Sequence, residues 1–271
     1  MATMARHARA VGTDRSERDR AADFVLGRHA AAADRIEPWE AGTAVLAPTL
    51  PDLWDANHLR LDRPGAVGAK ELAADAARIL GDGGARHRAV MVPSEAEARR
   101  LAPGFEDLGW DRDRLVLMAL RGVPRPRPGA SRARELPAGA VAALRREMVM
   151  LEPWGSVGVA AQLEDHQRRV RSGLTSRCFA APADGRPGAT CELLSDGRVA
   201  EVCDVGTHPA HRRRGLATAV VIAAAVAARA ARAELVIVTA DADDWPRQLY
   251  ARLGFEPLGL LTRFRRVGLT G

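Results

Sequence analysis

The sequence predicts an α/β protein of the α+β kind, built as two tandem domains in which a mixed, mostly antiparallel sheet is flanked by helices. Three observations predict it. Helix-period and strand-period apolar patterns alternate along the 271 residues. In the second half, three consecutive strand patterns are separated only by the turn pairs Asp184-Gly185 and Asp196-Gly197, which makes them an antiparallel meander. Each half also ends in the same order: strand, short helix, Leu-Gly-Trp or Leu-Gly-Phe, strand. Between Val123 and Ser131 alternating prolines remove backbone donors and favour extended chain, so this run is read as a linker between domains 1–122 and 132–271.

In the first half, Arg15 to about Ala33 is a charged amphipathic helix pattern. Strands are expected over Thr43–Ala47 and Trp54–Leu61, a helix over Ala69–Leu80, and a strand over Ala89–Val92. Ser94 with Glu97 three residues on has capping-box spacing and starts a short helix. Gly109 and Trp110 then lead into the strand Leu115–Leu120. In the second half, helices over Ala138–Met150 and Val157–Arg171 precede the meander Arg177–Ala181, Ala189–Leu194 and Val199–Thr207. A helix over Leu216–Ala231, a parallel-type strand over Leu235–Thr239, a short helix near Arg247–Leu253 and a last strand over Leu260–Val267 complete the order.

The composition is that of a soluble globular protein, 47% hydrophobic, 27% charged and 4% aromatic. No stretch approaches the roughly 18 apolar residues of a membrane helix, and charges stand where a signal peptide has its apolar region, so a cytoplasmic location and no membrane partner are expected. The three cysteines lack metal-ligand spacing and are read as buried free thiols. The net charge is +6, but nearly all basic residues are arginine and no nucleic-acid-binding motif is present. Nucleic acid is therefore not the expected partner, and no metal is.

The run His211-Arg-Arg-Arg-Gly-Leu-Ala217 joins the end of a strand to the start of a helix. A glycine lets the backbone approach an anion, the free amides of a helix start point at it, and three arginines add charge. The run reads as a turn for a pyrophosphate-bearing ligand. Arg212, Gly215 and Ala217 also fit the pattern Gln or Arg, two residues, Gly, one residue, Gly or Ala. The turn follows Val205-x-Thr207-x-Pro209 and precedes Leu249-Tyr250 and Gly254-Phe255. In these features the second half resembles the GCN5-related N-acetyltransferase superfamily.

The resemblance implies a splayed parallel strand pair and acetyl-CoA as acyl donor. It places the backbone of Val205, Gly206 and Thr207 along the pantetheine arm and wraps Arg212, Arg213, Arg214, Gly215, Leu216, Ala217 and Thr218 around the pyrophosphate. Arg213 stands where many relatives have glycine, so its side chain must point outward or the turn must differ. Asp243 and Asp244 stand where relatives have an asparagine that positions the CoA arm, so Asp243 is assigned to cofactor binding with that departure.

Tyr250, the only tyrosine, falls at the position of the general acid that protonates the departing thiolate. Glu201 falls at the general-base position of one branch of the superfamily, with Asp204 as second choice. By strand alternation Glu201 shares a face with Cys203 and Val205.

The expected activity is direct transfer of an acetyl group to a primary amine of a small molecule or peptide. The alternative is a non-catalytic acyl-CoA-binding or interaction protein that kept the cofactor site. In the first half, Arg63-Pro64-Gly65-Ala66-Val67-Gly68 lies where a matching turn would fall but lacks the glycine and the arginines, and Phe105 replaces the tyrosine. That half is read as a degenerate copy that shapes the acceptor cleft. Trp54 and Trp154 are candidates for lining it. The oligomeric state is left open.

Overall fold

The computed structural model describes residues 15–65, 67–122, 124 and 133–267. Apart from Pro124, the expected linker lies outside them, as does Ala66. In chain order the elements are α1 (Glu17–Ala31), β1 (Arg35–Trp39), β2 (Gly42–Leu46), β3 (His58–Leu61), α2 (Ala69–Asp82), β4 (His87–Val92), α3 (Glu95–Asp107) and β5 (Asp111–Leu120). The second half continues with β6 (Arg134–Leu136), α4 (Ala138–Met150), α5 (Val157–Gly173), β7 (Thr175–Ala183), β8 (Arg186–Ser195), β9 (Val199–Thr207), α6 (Leu216–Ala230), β10 (Leu235–Asp241), α7 (Pro246–Arg252) and β11 (Phe255–Val267).

The mixed, mostly antiparallel sheet with flanking helices is as the sequence predicts, and its strands join into one sheet of 11 in the order β1-β2-β3-β4-β11-β5-β10-β9-β8-β7-β6. Among the described residues only β3/β4 and β9/β10 are parallel. The halves exchange their last strands. β11 lies between β4 and β5, and β5 between β11 and β10, so neither half completes its sheet alone. At the centre Val116 pairs with Leu260 and Leu115 with Leu261, the register of two equivalent strands crossing antiparallel.

Strand alternation divides the core. On one face Val116, Met118, Val236, Val238, Ala200 and Val202 pack against the small residues of α6, while Val90, Val92 and Phe264 pack against α2 and α3. On the other face Met91, Leu117, Ala119, Ile237 and Leu261 lie under α1, whose Ala21, Phe24 and Val25 bridge strands of both halves. A flat side of alanine and valine on α6 lets helix and sheet approach closely, and each such side chain removed from water stabilises by about 25 cal/mol per Å² of apolar area.

The strand expected from Trp54 begins only at His58. Residues 47–57 instead form turns held by buried Asn57, whose Oδ1 accepts from the Ala47 N–H (2.8 Å) and whose Nδ2 donates to the Leu50 carbonyl (2.8 Å). This loop packs against Leu163 of α5, and the Asp52 N–H donates to Gln162 Oε1 at 3.0 Å. The first half thereby braces a helix of the second. Trp54 lies under Arg263 and Arg265, their guanidinium carbons 5.0 and 4.3 Å from its ring centroid. There it takes part in cation–π contacts and is not among the residues that line the cleft described below.

Candidate active site

β9 and β10 run as a parallel pair only from Val199/Leu235 to Val202/Val238. Beyond that, β10 stays with β5 through Thr239–Asp241 while β9 stays with β8. The two strands splay, and the backbone groups of β9 that would have met β10 face an opening. A bulge sits at the splay. Glu192 opposes Cys203 and Thr190 opposes Gly206, so Asp204 and Val205 together face one residue of β8. Asp204 adopts φ 50°, the left-handed region that an extra bulge residue takes.

The opening is a cleft of about 1020 Å³ between the splayed strands, the start of α6, α7 and the α4–α5 pair. Val205, Gly206, Thr207, Arg212, Arg213, Gly215, Leu216, Ala217, Thr218 and Tyr250 all line it. A Cβ at Gly206 would come within 2.7 Å of Met148 Cε on α4, so the flexible end of that side chain would have to shift. Gly215 precedes α6 in the left-handed conformation (φ 76°) and offers no side-chain cap, so the first amides of the helix open toward the cleft. Arg212 and Arg213 are exposed beside them.

Three residues expected at the site are not in it. Glu201 is 1% exposed, its Oε1 accepting from Thr239 Oγ1 at 3.0 Å and its Oε2 3.0 Å from Arg28 Nε of α1. Burial pushes its carboxyl up against the pull of Arg28 and Thr239. Simple alternation failed because the bulge inserts a residue: Cys203 packs with the α1 side, whereas Val205 packs with the α6 side. Of the two carboxylates expected as base, Glu201 lies off the cleft and Asp204 lines it.

Asp243 is turned away, ion-paired with Arg114 of β5, and its N–H donates to Asp241 Oδ1 at 2.8 Å. Trp245 and Pro246 line the cleft at the start of α7 in its place. Arg214 folds back to His211 (3.1 Å) and Asp184 (3.4 Å), because a carboxylate outside the turn competes for its guanidinium.

Tyr250 ends in the cleft from α7, 5% exposed, its ring edge-on to Phe255 at 6.1 Å. Burial pushes its phenol up, so it holds its proton at neutral pH. On the opposite wall stand Arg145, Leu163, Gln167 and Arg171 from α4 and α5, with Trp154, 59% exposed, on the connecting loop. The spacing of Leu163, Gln167 and Arg171 along one helix face was the available signal for this wall, but it is shared by any amphipathic helix.

Arg213 carries φ 61°, which costs a non-glycine residue about 1 kcal/mol. Arg213→Gly is expected to raise the thermal midpoint by a few degrees while weakening binding of coenzyme A several-fold. Thermal denaturation and calorimetric titration together check this, since the two effects have opposite sign.

In the first half, the turn between β3 and α2 is satisfied internally. The Gly65 N–H donates to Glu97 Oε1 and the Gly68 N–H to Glu71 Oε2, both at 2.8 Å. Carboxylates thus occupy the donors and repel a phosphate. Phe105 stacks on Phe264 at 4.3 Å and tilts on Trp110 at 5.0 Å, an apolar counterpart of the Tyr250–Phe255 pair.

No curated protein matches the chain. The fold resembles a functionally unknown conserved protein from Staphylococcus epidermidis (TM-score 0.63, 14% identity, 88% of this chain and 95% of that one). It also resembles a GCN5-related N-acetyltransferase from Kribbella flavida (TM-score 0.60, 20% identity, 96% and 97%). A third similar structure is a tandem GNAT protein from the clavulanic acid biosynthesis pathway (TM-score 0.52, 19% identity, 76% and 74%). At these identities the likeness is one of fold. Residues 143–255, which hold the bulge, the phosphate-type turn and Tyr250, match the family described as Acetyltransferase (GNAT) family. The chain therefore carries, over residues 143–255, a domain of the acetyltransferase (GNAT) family.

Proposed function

We propose that the protein is an acetyl-CoA-dependent N-acetyltransferase that passes an acetyl group to a primary amine of a small molecule or peptide by direct attack. The observation that carries the reading is the convergence on one cleft of a bulged, splayed strand, an uncapped helix start with two free-standing arginines, and a buried protonated phenol. Acetyl-CoA fits these groups: it brings a long arm with amide groups, a pyrophosphate and, when bound, an activated thioester.

On this reading the unpaired edge of Val205–Thr207 holds the arm, and the amides of Gly215–Thr218 with Arg212 and Arg213 hold the pyrophosphate. Asp204 accepts a proton from the acceptor ammonium, freeing the nitrogen lone pair. Tyr250 donates its proton to the sulfur that leaves. The two residues act from one cleft, so proximity supplies much of the rate and no acyl-enzyme is required. The first half, 1–122, serves as a degenerate copy, its turn closed by Glu97 and Glu71, and it braces α5 and the acceptor side.

The test is release of free thiol from acetyl-CoA in the presence of butylamine, putrescine, glycinamide, lysinamide and glucosamine, with the acetylated amine identified by mass spectrometry. At least one amine is expected to be acetylated. Tight coenzyme A binding with no transfer to any of the five would support the non-catalytic acyl-CoA-binding alternative instead.

A further inference from the structure

Asp204 is one end of a polar chain that crosses four elements. Its Oδ2 accepts from Gln167 Nε2 of α5 at 2.9 Å. Gln167 Oε1 accepts from Arg145 Nη1 of α4 at 3.0 Å, and Arg145 Nη2 donates to Glu192 Oε2 of β8 at 3.0 Å. Glu192 is 1% exposed and is fixed again by Arg171 Nε and Nη2, both at 2.7 Å, and by Ser176 Oγ at 2.5 Å. Burial pushes its carboxyl up, but the bonds from Arg171 and Ser176 and the charge of Arg145 outweigh this and hold it below the usual carboxylate range.

The donor inventory sets the direction of the chain. A guanidinium only donates, so Arg145 must meet the amide oxygen of Gln167, and the Gln167 NH₂ is forced toward Asp204. An NH₂ donor at Oδ2 engages that carboxylate oxygen and leaves Oδ1 for a ligand in the cleft. The backbone of Asp204 sits in the left-handed region at a bulge, a conformation aspartate tolerates better than most residues. Among the described residues Asp204 has no ion-pair partner, and Gln167 is the only side chain that hydrogen-bonds to it.

We propose that Gln167, oriented by Arg145 from the Glu192 anchor, is the positioning residue for the proton acceptor Asp204, holding one carboxylate oxygen so that the other faces the attacking amine. This rests on the acetyltransferase reading. On this proposal Gln167 acts through Asp204.

The test compares wild type, Gln167→Leu, Gln167→Glu and Asp204→Asn in the thiol-release assay with the five amines named above, alongside calorimetric titration with coenzyme A and thermal midpoints. Asp204→Asn is expected to lower kcat by about 10²–10⁴-fold. Gln167→Leu and Gln167→Glu are each expected to lower kcat by about 10- to 100-fold, a partial loss of the same contribution, with KM for acetyl-CoA unchanged. Gln167→Glu keeps the side-chain shape, replaces the donor with an acceptor and sets a second negative charge beside Asp204, whereas Gln167→Leu removes the donor without adding charge, so a loss shared by both variants reads on the missing hydrogen bond.

Wild-type kcat in Gln167→Glu, or a loss explained by a rise in KM for acetyl-CoA, would overturn the positioning role while the acetyltransferase reading stands. Coenzyme A binding without transfer to any amine would overturn both. Wild-type kcat in Asp204→Asn would remove the proton acceptor and the proposal with it.

Discussion

Tyr250→Phe is expected to lower kcat by about 10²–10⁴-fold, the range for losing a general acid, with KM for acetyl-CoA nearly unchanged. The change removes one oxygen from a ring that is 5% exposed and packs edge-on to Phe255. Phenylalanine keeps that packing, so the loss reads on proton donation. A thiolate with a conjugate acid near pKa 8.5 leaves poorly into a cleft lined by leucine and tryptophan unless a proton meets it. Burial keeps the Tyr250 proton in place until that moment. Steady-state kinetics with one turned-over amine checks the expectation, and unchanged turnover would take Tyr250 out of the mechanism.

In the first half, Phe105 and the turn before α2 make internal contacts. Phe105 fills the aromatic position with nothing to donate, and it stacks on Phe264, a residue that β11 brings over from the other half. Glu97, paired with Arg100, takes the Gly65 amide that would otherwise be free. The strand exchange also makes each half depend on the other for closure of its sheet.

Much of this was legible in the sequence because the signals are local. The turn pairs at Asp184-Gly185 and Asp196-Gly197 and the short-range order of the phosphate-type turn specify β7–β9 and the start of α6 without reference to anything distant. Strands that hold little apolar sequence were missed. β1 carries Arg35, Glu37 and Pro38 and survives as a mostly exposed edge strand, where a missing donor is tolerated. β11 begins five residues before the expected start because Pro257 and Gly259, which read as a break, are absorbed by a bulge against β5. Glu201 lies off the cleft for a similar reason. A single bulge changes the phase of every side chain after it, and nothing in Cys203-Asp204-Val205 announces the bulge. The partner of Glu201, Arg28, lies far away in sequence, and long-range ion pairs leave no local pattern.

Stability is expected to fall steeply below neutral pH. His29 of α1 and His58 of β3 are 2% and 1% exposed, with rings 5.8 Å apart, and burial drives them to about 3 and about 4. Asp55 pulls both back up, and the Arg263 charge pushes both down, with Arg28 adding to the push on His29. His166 of α5 and His87 of β4 are also lowered by burial. A histidine whose pKa is lower folded than unfolded contributes its full stability above the unfolded value near 6.5 and loses it as pH falls toward the folded value. Each group then costs about 1.4 kcal/mol per pH unit, so His29 and His58 together remove about 4 kcal/mol between pH 6.5 and pH 5. For a chain of this size that is a fall of about 10 °C in the thermal midpoint. Measured against pH, the midpoint should be flat above pH 7 and drop between 6.5 and 4, and His58→Gln should shallow the slope by one proton's worth. A midpoint unchanged down to pH 5 would mean that these rings bind protons equally well folded and unfolded. These rings join α1 to β3, so the acid-sensitive joint lies between the helix and the strand they belong to.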